Sequence, residues 1–354
     1  MRMRNSAVSG VALVAAGVAT GVALYARRRR GYSFAGQSVV ITGGSRGLGL
    51  VMARRLAAEG ARLTLIARDS AELSRAATDL RSRQPDVQVT TVAADVTQRA
   101  DVERAVAATI SSHGRIDVLI NNAGIIQVGP LDHMKLSDYD DAMKTHFWGP
   151  LYFVVAALPH MRRQGSGRIV NISSIGGRIS VPHLVPYSAS KFALVGLSDG
   201  LRAELARENI VVTTVCPGLM RTGSPVNASF KGQRSEEYSW FALASSLPGL
   251  TTSAERAARQ VVEACRRGDA ELVITLPAKF AVMARNLTPE LFSKALSLIH
   301  RGLPGNAGTD GDIAQPGSVA GPGWVPEALL EPMHAAARRN NEQGGDMRRP
   351  PSSP

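Results

Sequence analysis

Short apolar runs alternate with helical stretches from Gly36 to about Ile274, and this alternation constrains the fold more than any other feature of the chain. The runs are apolar throughout rather than at every second position, which is typical of parallel strands covered on both faces. The runs are 38–42, 62–67, 87–94, 116–121, 167–173, 210–216 and 271–275. The helical stretches are 47–59, 70–83, 98–112, 137–163, 187–208 and 254–267. The pattern predicts an α/β domain with a doubly wound parallel sheet of about seven strands.

Residues 7–26 carry no charge over twenty positions, the minimum length for a helix that crosses a bilayer core of about 30 Å. Arginines occupy 27–30, against only Arg2 and Arg4 before the segment, so the positive-inside bias places the rest of the chain in the cytoplasm. A cleavable signal peptide is the alternative, but no clean A-x-A site precedes the arginines. The sequence predicts residues 1–30 as a single-pass membrane anchor with its basic flank.

The formal net charge of +12 raises the question of a nucleic-acid partner, but much of this charge is local, at 27–30 and near the two termini. No zinc-finger, RNP or helix-turn-helix pattern accompanies it, so we expect no nucleic-acid partner. Two cysteines, Cys216 and Cys265, are too few for a disulfide framework and indicate a reducing compartment. The seven histidines lack ligand spacing, so we expect no metal site.

Residues 31–276 form the predicted catalytic domain. Within it, the long connection 218–252 is typical of a lid or a substrate-contacting segment. Residues 277–303 predict one or two amphipathic helices that pack on the core, cover the site or lie on the membrane, with core packing as the default. Residues 304–354 have the composition of a largely disordered tail, which a short helix around 325–339 could interrupt.

A glycine-rich loop, TGGSRGLG at 42–49, follows the first apolar run and opens the first helical stretch. Gly43, Gly47 and Gly49 allow a sharp turn and close approach of a ligand, and the helix N-terminus beyond them attracts a pyrophosphate. The spacing G-x-x-x-G-x-G differs from the G-x-G-x-x-G of the standard fingerprint. Its place at the first β–α turn nevertheless predicts a dinucleotide site at the carboxyl ends of the strands.

The end of the second run indicates which dinucleotide binds. Enzymes that use NAD usually carry an acidic residue there, whereas this chain has Arg68, followed by Asp69. Arg46 lies in the glycine loop, and two guanidinium groups on one ribose would suit the 2′-phosphate of NADP(H). The alternative is that both arginines are solvated surface residues.

Five motifs occur in the order and spacing of short-chain dehydrogenase/reductases: TGGSRGLG, NNAG (121–124), ISS ending at Ser174, YSASK (187–191) and PG (217–218). The chain resembles that family over roughly 36–275. The resemblance implies a Rossmann-type fold, an NADP(H) cofactor and a small-molecule substrate interconverted between carbonyl and alcohol. Family members commonly pair through the helices around 137–163 and 187–208, so it also implies a homodimer or homotetramer.

Tyr187 and Lys191 lie four positions apart, on one helix face, either as a proton-transfer pair or as an ordinary exposed pair. The resemblance favours proton transfer. It implies that Tyr187 exchanges the proton, that Lys191 lowers the pKa of Tyr187 and binds the nicotinamide ribose, and that Ser174 polarises the substrate oxygen. The family's fourth catalytic residue, an asparagine, is replaced by His146. Either His146 keeps a main-chain carbonyl in a proton relay that its ring could join, or the substitution is a lesion; we expect activity to survive.

The resemblance further implies a set of cofactor-binding residues. They are Gly43, Ser45, Arg46, Gly47, Leu48, Gly49, Arg68, Asp95, Val96, Asn122, Ala123, Gly124, Tyr187, Lys191, Pro217, Gly218 and Thr222. Within this set, Asp95 would approach the adenine and Thr222 the carboxamide.

Two functions of different classes follow from these observations. The leading one is a membrane-tethered, NADPH-dependent oxidoreductase that interconverts a lipophilic carbonyl and its alcohol. The alternative is a non-catalytic NADPH-binding scaffold or sensor tethered in the same way. Consumption of NADPH separates the two, because a scaffold would bind the dinucleotide without oxidising it.

Overall fold

The computed structural model describes residues 31–342, apart from 248 and 322. Their central sheet has seven parallel strands in the order β7-β6-β5-β4-β1-β2-β3. The strands are β1 (Ser38–Thr42), β2 (Arg62–Ala67), β3 (Val89–Ala93), β4 (Val118–Asn121), β5 (Gly167–Ile172), β6 (Ile210–Pro217) and β7 (Glu271–Ile274). The predicted doubly wound, seven-stranded sheet is confirmed.

Helices cover both faces of the sheet. Those of eight or more residues are α1 (Gly47–Ala58), α2 (Ser70–Arg83), α3 (Arg99–His113), α4 (Leu136–Met143), α5 (Gly149–Gln164), α6 (Val185–Leu205), α7 (Arg234–Ser246), α8 (Ala254–Arg267), α9 (Leu276–Leu287), α10 (Pro289–His300) and α11 (Glu327–Arg339). Helices α1, α2 and α8 contribute to one apolar cluster, and α3 and α5 to the other.

The uninterrupted apolar runs follow from this two-sided burial. In β1, Val39 and Ile41 face the cluster under α1, whereas Val40 between them faces the cluster under α5. Successive side chains of a strand point to opposite faces, so a strand covered on both sides needs an apolar residue at every position. The same requirement excludes a half-exposed antiparallel sheet for these runs.

The functional loops share one edge of the sheet because its strands are parallel. Thr42 ends β1, Asn121 ends β4, Ile172 ends β5 and Pro217 ends β6. These four strands are neighbours in the sheet, so the loops that follow them meet at its carboxyl edge. Such an edge is where ligands bind in open α/β sheets.

The connection 218–252 folds into a substructure above this edge. It contains a one-turn helix, Ser224–Asn227, and α7. Strand Ser229–Phe230 pairs with Gln127–Val128 and, antiparallel, with Gln315–Pro316. The chain beyond 304 is therefore part of the layer that covers the site.

The C-terminal region differs from the expectation of a largely disordered tail. Helix α11 packs on α7. Its side chains Leu330 and Met333 are completely buried, in one apolar cluster with Tyr238 and Phe241 of α7. Such burial stabilises an ordered segment by about 1.5–3 kcal/mol for each large apolar side chain. Through residue 342 the tail is folded onto the domain, and 343–354 lie outside the described residues.

Helices α9 and α10 do not pack on the core, which was the arrangement expected by default from the sequence. Ala278 is the one buried side chain that their described residues contain. Their exposed large apolar side chains are Leu276, Phe280, Met283, Leu287, Leu291, Leu298 and Ile299. The pair therefore presents an apolar surface instead of burying it in the domain.

The predicted membrane anchor, residues 1–30, lies outside the described residues. Between 31 and 342, no described helix is both long enough and apolar enough to span a bilayer.

Candidate active site

The glycine loop joins β1 to α1 at the carboxyl edge of the sheet. Gly43 and Gly47 adopt φ values of +62° and +53°, which side chains rarely tolerate. A Cβ atom on Gly49 would lie 2.0 Å from the carbonyl oxygen of Gly43, so only glycine fits there. Leu48, between Gly47 and Gly49, is buried under the loop in the α1 cluster. The backbone can thus approach a ligand at the start of α1, where the N–H groups of a helix N-terminus favour an anion.

The segment after β4 fixes this loop. The N–H groups of Asn122 and Ala123 donate to the Thr42 hydroxyl at 2.9 and 3.0 Å. The Asn122 amide donates to the carbonyl oxygens of Thr42 and Gly43. Gly124 is exposed beside them. The NNAG motif therefore ties the glycine loop to the neighbouring strand.

Arg68 and Asp95 lie together at the far side of the glycine loop. They line an open cavity of about 270 Å³ with Asp101. The Asp95 carboxylate accepts the N–H of Thr97 at 2.9 Å, which fixes it at the cavity wall. Val96 is buried behind it against Gly149. This cavity has the position expected for the adenine end of the dinucleotide.

Arg46 does not join Arg68 in that cavity. Its guanidinium donates to the Glu72 carboxylate at 3.1 Å and to the side-chain oxygen of Asn227 at 2.8 Å. Glu72 also accepts the Ser45 hydroxyl at 2.9 Å. The expected convergence of two guanidinium groups on one ribose is therefore not present in this structure, because Glu72 holds Arg46.

The loops after β5 and β6 bring in the remaining residues. Pro217 ends β6, and the N–H of Gly218 donates to the Ile274 carbonyl at 3.1 Å. Thr222 is buried and its hydroxyl bonds that of Ser224 at 2.7 Å. These residues form the wall of the site opposite the glycine loop.

Ser174, Tyr187 and Lys191 meet where β5 ends and α6 begins. The Tyr187 hydroxyl hydrogen-bonds Ser174. The Lys191 ammonium lies 5.7 Å from the centre of the Tyr187 ring and donates to the Ile172 carbonyl at 2.9 Å. A Cβ on Gly176 would come within 2.9 Å of the Tyr187 ring, so this glycine permits the approach of the tyrosine to Ser174. The sequence analysis did not predict a role for Gly176. Its position two residues after Ser174 is the feature of the sequence that could have indicated one.

The electrostatics of this pair differ from the sequence expectation. Burial raises the pKa of Tyr187 to about 12, and the hydrogen bond from Ser174 opposes the shift only in part. Burial likewise lowers the pKa of Lys191 to about 7. The expected lowering of the Tyr187 pKa is not seen in this structure, because removal from water outweighs the hydrogen bond from Ser174. Tyr187 holds its proton at neutral pH.

His146 is completely buried beside the pair, in a π-helical turn, Lys144–Trp148. Its Nε2 accepts the N–H of Ile125 at 3.1 Å, and its Nδ1 lies 2.7 Å from the Ser190 hydroxyl. That hydroxyl donates to the Tyr187 carbonyl, so the Nδ1–H must donate to Ser190 Oγ. Burial and the charge of Lys191 hold the pKa of His146 well below its ordinary value.

The ring of His146 therefore acts as a neutral crosslink. It joins the residue that follows the NNAG loop, Ile125, to Ser190 in the second turn of α6. Both ring nitrogens are engaged, so the ring has no free position for the proton relay that the sequence left open. The ring satisfies both groups and packs edge-on to Tyr187. That the main-chain carbonyl of His146 serves the relay, and that activity survives the substitution, stay predictions.

Comparison with known proteins agrees with this arrangement. A family model described as short chain dehydrogenase matches residues 37–231. The granaticin polyketide synthase putative ketoacyl reductase 1 of Streptomyces violaceoruber is 40% identical over 185 residues, 52% of this chain and 67% of that protein. The structure also resembles two solved enzymes.

One is a short chain dehydrogenase/reductase from Burkholderia phymatum in complex with NAD, with a TM-score of 0.67, 27% identity and coverage of 74% of this chain and 96% of that one. The other is L-sorbose reductase from Gluconobacter frateurii complexed with NADPH and L-sorbose, with a TM-score of 0.62, 26% identity and coverage of 69% and 96%. This protein belongs to the short-chain dehydrogenase/reductase family of oxidoreductases, whose fold binds a nicotinamide dinucleotide.

Proposed function

We propose that this protein is an NADPH-dependent reductase of a lipophilic carbonyl compound, held at a membrane by residues 7–26 with its catalytic domain in the cytoplasm. The observation that carries the proposal is the meeting of Ser174, Tyr187 and Lys191 beside the glycine loop at one edge of the sheet. A half-buried phenol and hydroxyl beside a buried ammonium can bind a carbonyl oxygen at this place and protonate it.

The chain's own residues account for the proton chemistry. When bound, NADPH would supply the hydride to the carbonyl carbon. Ser174 would hydrogen-bond the carbonyl oxygen and stabilise the charge that develops on it. Tyr187 would donate its proton to that oxygen, and its raised pKa keeps the proton available at neutral pH. The nearby Lys191, when protonated, would stabilise the phenolate that remains.

The preference for NADPH over NADH rests on charges around the adenine cavity. Arg68 is exposed there and can pair with a 2′-phosphate. Asp69, the nearest carboxylate in sequence, accepts the N–H of Glu72 at 2.8 Å as the N-cap of α2. The cap commits one oxygen of this carboxylate to the start of α2, and Arg68 rather than an acidic residue follows β2, which favours the phosphorylated cofactor.

The apolar surface of α9 and α10 supports the location and the substrate class. Seven large apolar side chains are exposed on this helix pair, and Lys279, Arg285, Lys294 and Arg301 lie within or next to it, with Glu290 as its single acidic residue. An apolar face with basic flanks suits the surface of an anionic membrane, from which a lipophilic carbonyl compound would enter. We also propose a homodimer or homotetramer through α5 and α6, since Trp148 and Val155 are exposed large apolar residues at α5.

The test uses the full chain and two tyrosine variants. Tyr187→Phe removes the proton donor and should lower the rate of NADPH oxidation with a panel of lipophilic ketones and aldehydes by at least about 100-fold, with NADPH affinity nearly unchanged. Tyr152→Phe, the same chemical change on α5, is the control and should leave the rate unaltered. Equal rates in the two variants would remove Tyr187 from the reaction. NADPH binding without oxidation by the unaltered chain would instead support the scaffold.

A further inference from the structure

The last described residues, Asn340, Asn341 and Glu342, lie on the glycine loop. They follow α11 directly and are all partly or fully buried. The Asn341 amide donates to the carbonyl oxygens of Ser45 and Glu72 at 2.9 and 3.1 Å. We call residues 340–342 the strap.

The strap uses the N–H group that opens α1. The N–H of Gly47 donates to the Asn340 carbonyl oxygen at 2.9 Å. The side-chain oxygen of Asn340 in turn accepts a hydrogen bond from Arg54 at 2.8 Å. Free N–H groups at this helix start are what binds a pyrophosphate in a doubly wound fold, so the strap takes a group that the dinucleotide needs.

Glu342 fills the gap between the two walls of the site. Its carboxylate accepts the N–H of Gly223 at 2.7 Å, on the wall that includes Thr222. On the other wall, a Cβ atom built on Gly47 would lie 2.9 Å from the Glu342 carboxylate. Glu342 is 8% exposed. A carboxyl group thus lies between Gly47 and Gly223, in the space that a bound pyrophosphate would cross.

Helix α11 delivers the strap to this position. Leu330 and Met333 are fully buried against α7, which anchors the helix independently of the strap. Arg54 also donates to the carbonyl oxygen of Arg339 at the end of α11 at 2.8 Å. The strap can therefore leave the glycine loop while the helix that carries it stays docked.

We infer that the strap and the pyrophosphate of the dinucleotide compete for one site, so that the C-terminus of this chain regulates its own cofactor binding. The inference rests on the proposed function, because it concerns the same dinucleotide. A competitor in the same molecule raises the apparent dissociation constant by the inverse of the fraction of molecules in which it is released. A strap docked in nine-tenths of the molecules raises it about tenfold.

The test compares equilibrium binding of NADPH by three full-length proteins, measured by NADPH fluorescence without any carbonyl substrate. In Asn340→Ala/Asn341→Ala/Glu342→Ala the strap loses its side chains, and the dissociation constant should fall about tenfold. Glu331→Ala, an exposed position on α11, is the control and should bind as the unaltered chain does. Amide hydrogen exchange of the unaltered chain should show that NADPH increases exchange in the peptide that contains 340–342.

The outcomes separate this inference from the proposed function. Equal affinity in the triple variant and the unaltered chain, or strap amides that stay protected with NADPH bound, would refute competition while leaving the reductase intact. Weaker binding by the triple variant would show that the strap is part of the cofactor site, and would refute competition as well. Absence of NADPH binding by all three proteins would overturn both.

Discussion

The carboxyl group of Glu342 should contribute a separable part of the pH dependence of NADPH binding. Burial raises its pKa to about 7, and the charge of Glu72 adds to the shift. The N–H of Gly223 and the charge of Arg46 oppose it. Replacement by glutamine, Glu342→Gln, keeps an acceptor for Gly223 and removes the titration, so the variant isolates this group.

The sign and size follow from the two protonation equilibria. A released strap carries a carboxyl with its ordinary pKa of 4.5, whereas the docked carboxyl has a pKa of about 7. Docking therefore takes up a proton between these values, and the docked strap is stabilised as the pH falls through 7. From pH 8 to pH 6 the docking constant rises about tenfold, equivalent to about 1.4 kcal/mol. Where docking predominates, the dissociation constant of NADPH rises by the same factor.

The assay is a fluorescence titration of NADPH at pH 6 and pH 8 with the unaltered chain, Glu342→Gln and the exposed control Glu331→Gln. Lys191 and the 2′-phosphate of the ligand also titrate in this range, but they do so in all three proteins. The quantity to compare is thus the ratio of dissociation constants at the two pH values. We expect this ratio to be about tenfold larger for the unaltered chain and the control than for Glu342→Gln. The same ratio in all three proteins would refute the role given to Glu342.

Two further predictions concern the loops around the site. Gly49→Ala should destabilise the domain by about 1–3 kcal/mol in denaturant unfolding and weaken NADPH binding, because its Cβ would meet the Gly43 carbonyl at 2.0 Å. The control Gly200→Ala, in open space on α6, should instead stabilise by about 0.5–1 kcal/mol. His146→Ala should lower kcat because it leaves the N–H of Ile125 without its partner, at a cost of about 1–3 kcal/mol. His146→Gln, whose side-chain oxygen reaches the Nε2 position and can accept that bond, should retain activity, and equal loss in both variants would contradict the crosslink.

The sheet could be predicted from the sequence because each strand satisfies a local rule. The predicted runs 38–42 and 62–67 coincide with β1 and β2, and the run 87–94 exceeds Val89–Ala93 by only a few residues. Burial on both faces requires an apolar residue at every position, and that requirement is visible within five or six residues. The glycine loop could be located for a similar reason, since the positive φ values of Gly43 and Gly47 and the close contact of Gly49 with Gly43 require glycine within the loop itself.

The electrostatics of the site could not be predicted in the same way. The spacing of Tyr187 and Lys191 shows that the two side chains share a helix face, but it does not show how much water reaches them. In the structure burial outweighs the hydrogen bond from Ser174, so the pKa of Tyr187 rises, whereas the sequence predicted a fall. His146 presents the same difficulty, because its partners Ile125 and Ser190 are 21 and 44 residues away along the chain.

The C-terminal region shows most clearly where local patterns fail. Residues 304–323 are rich in glycine and proline, and α11 is a short helix whose buried face is small, so neither signals a folded segment by itself. The region is ordered by contact with α7, about ninety residues earlier in the chain. Leu330 and Met333 of α11 pack against the apolar side chains of that helix. Once α11 is docked there, its end must lie near the start of α1, and Arg54 fixes it. Helix α11 thus packs on α7 in the layer that covers the site, and its C-terminal end carries the strap onto the glycine loop. The affinity of this protein for its cofactor therefore depends on the C-terminal region as well as on the glycine loop.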